Sequence, residues 1–255
     1  NVAVGYQALK ANTTGANNIA IGSQALDANT TNTSNVAIGF YALTAATADN
    51  NTAVGFKALE ANTTGTCNTA VGSYAGDALT TGENCTAIGQ GALTVATTGS
   101  YNTAVGKAAL HLATTTGNST AVGYNALYNV TTGSYNTAVG DQALEAITTA
   151  QYCTAVGRQA LTQQNSTGQN DAFGNRAGYS VTGGSQNTLV GNHCGYNITT
   201  GGSNTCVGRY AAGDAAGSGT NMTANNNVLV GMNAGTQLTT GSNNTAIGTY
   251  ALDAD

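Results

Sequence analysis

Apolar and polar positions along this chain follow a period far longer than the two residues of a strand or the 3.6 of a helix. The unit Asn-Thr-Ala-Val-Gly-x-x-Ala-Leu-x-x-x-Thr-Thr-Gly-x-x recurs from end to end. Its fifth residue is Gly in all fifteen copies, at 5, 22, 39, 55, 72, 89, 106, 123, 140, 157, 174, 191, 208, 231 and 248. The spacing is 17 except twice: the copy starting at Asn35 is one residue short, and the copy starting at Asn204 is six longer, with the insert around Gly217, Ser218 and Gly219. A unit of this length is too short for a two-helix repeat or a propeller blade. It suits one turn of a solenoid. The β-branched Thr-Ala-Val run ending at Gly reads as a strand entering a tight turn. Positions 7 to 10 read as a second short strand, and Thr-Thr-Gly at 13 to 15 as the return. The expected fold is all-β: a parallel β-solenoid (β-roll) of about fifteen 17-residue coils with two short strands each. It forms a single repeat domain over residues 1–255, with an insert within 213–226. Stacked at the ~4.8 Å spacing of paired strands, fifteen coils make a rod of roughly 70 Å. Identical residues then form ladders, and the Asn at position 1 is expected to hydrogen-bond from coil to coil.

Side chains alternate faces along a strand. Positions 2 and 4, which hold Val, Ile or Thr, are therefore expected inside the coil. Position 3 is then expected outside, and it is Ala, Leu or Cys throughout. A row of small apolar residues left in water is unusual, so Ala3, Ala20, Ala37, Ala53, Ala70, Ala87, Ala104, Ala121, Ala138, Ala155 and Ala172 read as an interface between chains. Charges fall elsewhere: Lys10, Asp27, Glu60, Asp77, Glu145 and Asp253 at position 10, with Lys107, Asp141, Arg158 and Arg209 at position 6. Asp171 breaks this rule at position 2, beside Phe173, so that coil is expected to be irregular, with Arg176 neutralising the carboxylate.

Composition narrows the function classes. The net charge is −5, with only six Lys and Arg, which opposes binding to nucleic acid or to an anionic membrane surface. No apolar run reaches the ~20 residues of a membrane-spanning helix, so no membrane insertion is expected. Residue 1 already stands inside a repeat, as expected for a segment of a longer protein.

The runs Asn-Thr-Ala-Val-Gly and Asn-Val-Ala-Ile-Gly resemble the Ser-Val-Ala-Ile-Gly signature of YadA-type trimeric adhesin heads. The longer Asn-Thr-Ala-Val-Gly-Tyr-Gln-Ala-Leu unit looks like repeats of bacteriophage tail fibres. The likeness covers residues 1–212 and 227–255, though the period of 17 departs from the 14 or 15 of those heads. It implies a left-handed, trimeric β-roll at an extracellular, cell or virion surface, with no catalytic residues to carry over.

Little candidate chemistry remains. His111 and His193 stand in different coils and outside any metal motif. Acidic residues are scattered singly, and neither a nucleophile elbow nor a phosphate-cradling glycine loop occurs. No enzyme activity, cofactor or metal is expected. Of five cysteines, Cys194 and Cys206 replace repeated alanines and read as core or interface residues. Cys153 takes an Asn position, and a Cys67–Cys85 disulfide is one open alternative. Tyrosines at positions 6, 7 and 10, and Tyr101, Tyr135 and Tyr152 at position 17, are candidate surface contacts for a glycan or protein receptor. The sequence thus favours a homo-oligomeric structural or adhesive segment. An ice-binding or glycan-binding solenoid is the alternative; inward-facing Thr at position 2 weighs against the first. A β-helical lyase or hydrolase lacks the clustered carboxylates it needs.

Overall fold

The structure, a computed structural model, describes residues 1–165, 168–213 and 221–253. The core of the insert expected around Gly217, Ser218 and Gly219 lies outside the described residues. The described chain is a parallel β-solenoid. Fifteen three-residue strands run from β1 (Val2–Val4) to β15 (Thr245–Ile247), one per coil. The chain divides into two compact units, Asn1–Thr132 and Gly133–Asp255. The first holds the strands from β1 to β8 (Thr120–Val122), the second those from β9 (Thr137–Val139) to β15. Within each unit, neighbours pair in parallel and in repeat register: Ala20 opposite Ala37 and Ala104 opposite Ala121 in the first, Ala138 opposite Ala155 in the second. The 16-residue coil keeps this register, with Ala37 opposite Ala53. Its missing residue is absorbed in the return turn.

The second strand expected at positions 7 to 10 does not form. Those residues make consecutive turns, closed by bonds such as Ala25 N–H to Gly22 O (3.3 Å) and Asn29 N–H to Leu26 O (3.2 Å). Positions 7 and 9 lie in the left-handed region, as at Gln24 (φ 59°) and Leu26 (φ 51°). Coils still bond to one another here: Leu26 N–H donates to Ala42 O (3.1 Å) and Ala28 N–H to Thr44 O (3.1 Å). A left-handed residue costs about 1 kcal/mol or more. The coil-to-coil bonds and the buried side chains hold it in place.

This turn decides what fills the interior. In extended backbone, positions 8 and 9 would point opposite ways. With left-handed residues at 7 and 9, both turn inward: Ala25 and Leu26, Ala42 and Leu43, Ala143 and Leu144 are all fully buried. Leu at position 9 is the bulk of the core, each copy worth roughly 1.5–3 kcal/mol of burial. Position 12 adds Ala46, Val130, Ile147 or Ile198, and beyond the insert Met222 takes that slot by bridging to Ile198. The corner Gly is required, not merely permitted. At Gly106 φ is +134°, and a Cβ there would run into the Gly123 carbonyl of the next coil.

The Asn ladder forms, in a more useful way than amide stacking alone. Position-1 side chains are buried in every coil but the first and the last. Each amide oxygen accepts the backbone N–H of the next coil's position 1, as in Asn35 N–H to Asn18 Oδ1 and Asn51 N–H to Asn35 Oδ1, both 2.9 Å. In most coils the amide nitrogen donates to the position-15 carbonyl of its own coil, as Asn68 does to Gly82 O (2.8 Å). Amide-to-amide bonds run through Asn170, Asn187, Asn204, Asn227 and Asn244 at 3.0–3.1 Å. Outside, Thr hydroxyls at position 13 bond the next coil, as Thr80 Oγ1 does to Thr97 O (2.9 Å).

Candidate functional site

The position-3 row is not on the outside. Ala20, Ala37, Ala53, Ala70, Ala87, Ala104, Ala121, Ala138, Ala155 and Ala172 are at most 2% exposed within a single chain. They face the coil's own interior, so the expectation that they meet a neighbouring chain is corrected; Ala3, in the first coil, is exposed. The reason is space. Leu at position 9 fills the narrow interior from the opposite wall and leaves room only for Ala across from it. Where position 3 grows, position 9 shrinks. Leu189 is matched by Gly195, and Leu229 by Gly235, in the same coils. A Cβ on Gly195 would sit 2.7 Å from Leu189 Cδ2, and one on Gly235 2.8 Å from Leu229 Cδ1. This exchange was present in the sequence and was the signal that the two positions share one core.

Positions 2 and 4 therefore face outward. In the first unit this face carries Val36, Thr52, Thr69, Thr86, Thr103 and Thr120 beside Ile38, Val54, Val71, Ile88, Val105 and Val122. In the second it carries Thr137, Thr154, Thr188 and Thr205 beside Val139, Val156, Val190 and Val207. Val71 is 37% exposed, Ile88 39% and Val190 37%. The strand Asp171–Phe173 pairs regularly with both neighbours. The expected irregularity is absent because both odd side chains point to solvent. Arg176 is engaged elsewhere, donating from Nε to Gln159 Oε1 at 2.8 Å and lying over the Tyr179 ring at 5.5 Å.

The bend at positions 6 to 10 carries rings in columns. In the first unit Phe40 stacks on Phe56 (5.6 Å, 8°), and His111 on Tyr128 (5.0 Å, 14°). In the second, Tyr179 stacks on Tyr196 (5.3 Å, 7°) and His193 lies against Tyr196 and Tyr210. Burial, together with Arg176 and Arg209, lowers the His193 imidazole below its ordinary value. Of the position-17 tyrosines, Tyr135 and Tyr152 stack at 5.2 Å and are half-exposed. Tyr101, in the first unit, is equally exposed and lies near Glu83. A notch of about 440 Å³ interrupts the ring columns of the first unit, lined by Tyr74, Gly91, Lys107, His111, Tyr124 and Tyr128 among others.

All five cysteines are free thiols, Cys67 exposed and the rest buried. No Cys67–Cys85 disulfide forms. Cys85 and Cys153 occupy the Asn ladder: Cys85 imitates it, Sγ donating to Gly99 O (3.3 Å), whereas Cys153 Sγ accepts from Gln164 Nε2 (3.0 Å). Burial pushes both thiols up. Cys194 Sγ donates to Cys206 O (3.1 Å). Hydrogen bonding to Cys194 and burial hold the Cys206 thiol well above its ordinary range. Among the described residues no three His, Cys, Asp or Glu side chains gather as metal ligands, and no helix is long and apolar enough to cross a membrane.

No family model matches the chain, and neither a curated protein nor a solved structure matches it. The class defined by fold and surface is a parallel β-solenoid repeat protein.

Proposed function

We propose that this chain is a structural segment of an adhesive fibre, assembled as a homo-oligomer through the outer face of its β-sheet. The observation that carries the reading is the outward Thr/Val/Ile pair of every described strand except Asp171–Phe173. Each such side chain leaves on the order of 50 Å² in water, so eight coils offer roughly 800 Å², the per-partner size of a standard interface. Isolated monomers rarely keep a largely apolar face of that extent bare. A second copy of the same sheet is its natural cover, since equal coil spacing lets ladders from two chains interlock. The likeness to trimeric adhesin heads and tail fibres supports three copies, placed outside the cell or on a virion, where the assembly serves surface attachment. We assign the chain support and binding rather than catalysis, with no cofactor.

Sedimentation of the chain at micromolar concentration tests this, together with Val71→Lys and Val105→Lys in one variant. The expected result is an oligomer for the parent and a folded monomer, with unchanged circular dichroism, for the variant. A folded monomeric parent would overturn the proposal.

The same face favours one other reading. Thr at position 2 faces out, contrary to the sequence expectation, and makes a Thr-x-Val array such as an ice-binding surface needs. Val2, Ile19 and Val36 at one end and Asp171 with Phe173 in the second unit break that array, so it ranks second. A clear thermal hysteresis would reverse the order.

A further inference from the structure

We infer that the notch at Gly91 is a carbohydrate subsite for an acidic oligosaccharide. Position 7 of the repeat carries a long side chain in the coils around it: Gln24, Tyr41, Lys57 and Tyr74 before it, Asn125 and Gln142 after it. In two adjacent coils it shrinks, to Gly91 and Ala108, and the aromatic column opens. Tyr74 closes one end and Tyr124 the other, 40% and 49% exposed. Their coils are three spacings apart, roughly 14 Å, a span that seats a di- or trisaccharide. The volume of about 440 Å³ lies in the range of small-ligand sites.

The walls have the chemistry a sugar needs. Ring faces of Tyr74, Tyr124 and the His111–Tyr128 stack (5.0 Å) offer apolar platforms for pyranose C–H groups, with hydroxyls at the rim. His111 is held in place. Its Nδ1 lies 3.0 Å from Gly91 O, and a carbonyl only accepts, so Nδ1 carries the proton. In the neutral ring Nε2 is then an acceptor for a sugar hydroxyl. Lys107 is the cation of the site, and no carboxylate lines it. In a chain with eleven acidic and six basic residues, this local balance favours a uronate or sialate carboxylate over a neutral sugar. The notch lies on the bend, away from the position-2 and position-4 face, so it stays open in the proposed assembly.

The inference deepens the attachment reading and rests on it for its biological use, but binding is measurable without assembly. A fluorescently labelled chain is applied to a printed panel of acidic and neutral oligosaccharides, alongside Gly91→Gln, Lys107→Gln and the Val71→Lys/Val105→Lys variant. Gln at position 7 already occupies this backbone conformation at Gln24 (φ 59°, against 65° at Gly91), so Gly91→Gln fills the notch without unfolding the coil. The expected result is binding to acidic members, at least tenfold weaker for Gly91→Gln and several-fold weaker for Lys107→Gln. Binding that survives in the Val71→Lys/Val105→Lys variant leaves the subsite standing even if the oligomer is disproved. No bound member, binding confined to neutral sugars, or undiminished binding by Gly91→Gln would overturn the subsite.

Discussion

The pairing of Leu189 with Gly195 makes a double-mutant cycle that reports directly on which way position 3 faces. Leu189 is fully buried, so Leu189→Ala removes core carbons and leaves a cavity, at a cost of about 3 kcal/mol. Gly195→Leu introduces a side chain whose Cβ alone would lie 2.7 Å from Leu189 Cδ2 and 3.2 Å from Ile198 Cδ1. Such overpacking costs typically 1–3 kcal/mol. The backbone adds little, because Leu144 (φ 51°) and Leu161 (φ 49°) already adopt the conformation required. The double variant restores the Ala-and-Leu pairing of the other coils. It is expected within about 1.5 kcal/mol of the parent, a coupling of roughly 3 kcal/mol against additivity. Urea titrations of the four proteins, followed by circular dichroism and compared at a common slope, read the coupling. Additive losses would refute a shared core between positions 3 and 9, and with it the inward placement of the alanine row.

Three further outcomes follow from buried polar groups. Asn62 is fully buried, and both atoms of its amide lack a hydrogen-bond partner, whereas Val130 fills the same position in a later coil; Asn62→Val is expected to stabilise by about 1–2 kcal/mol, read as a higher thermal midpoint, and a lower midpoint would contradict it. Asp77 is half-buried with an unpartnered Oδ1, and burial raises its carboxyl above 3.8. The folded state therefore holds that proton to higher pH than the unfolded one, so Asp77 erodes stability as pH rises through this window. Asp77→Asn should gain stability at pH 7 and lose the gain below about pH 3.8; a variant less stable than its parent at pH 7 refutes this. With a disulfide thiol reagent at pH 8, Cys67 is expected to react at once, while Cys85, Cys153, Cys194 and Cys206 wait for unfolding; fast labelling of Cys206 would show the core coil open.

The coil, its register and the Asn ladder were legible because each depends on a repeat that one chain states fifteen times. The orientation of the strand was not. Alternation holds only for extended backbone, and the expectation that bulky Val and Ile fill the core took no account of Leu at position 9. That Leu reaches the interior through two left-handed residues, and ordinary propensities place neither Gln nor Leu there. The paired changes at Leu189 and Gly195, and at Leu229 and Gly235, carried the correction in plain sight. With position 3 inside, the outward face is Thr/Val/Ile rather than Ala, and Val71 and Ile88 are among the larger apolar side chains that stand in solvent on a single chain. The Gly91 notch was invisible in the repeat pattern because it arises from two adjacent departures, Gly91 and Ala108, whose effect depends on rings one coil before and one coil after.

Electron cryomicroscopy of the purified chain in solution addresses the central claim most directly. The proposed assembly predicts particles in which several copies turn their Thr/Val/Ile sheet faces toward one another and leave the Gly91 bend in solvent. Single solenoids with that face bare, or copies joined through the bends instead, would contradict it.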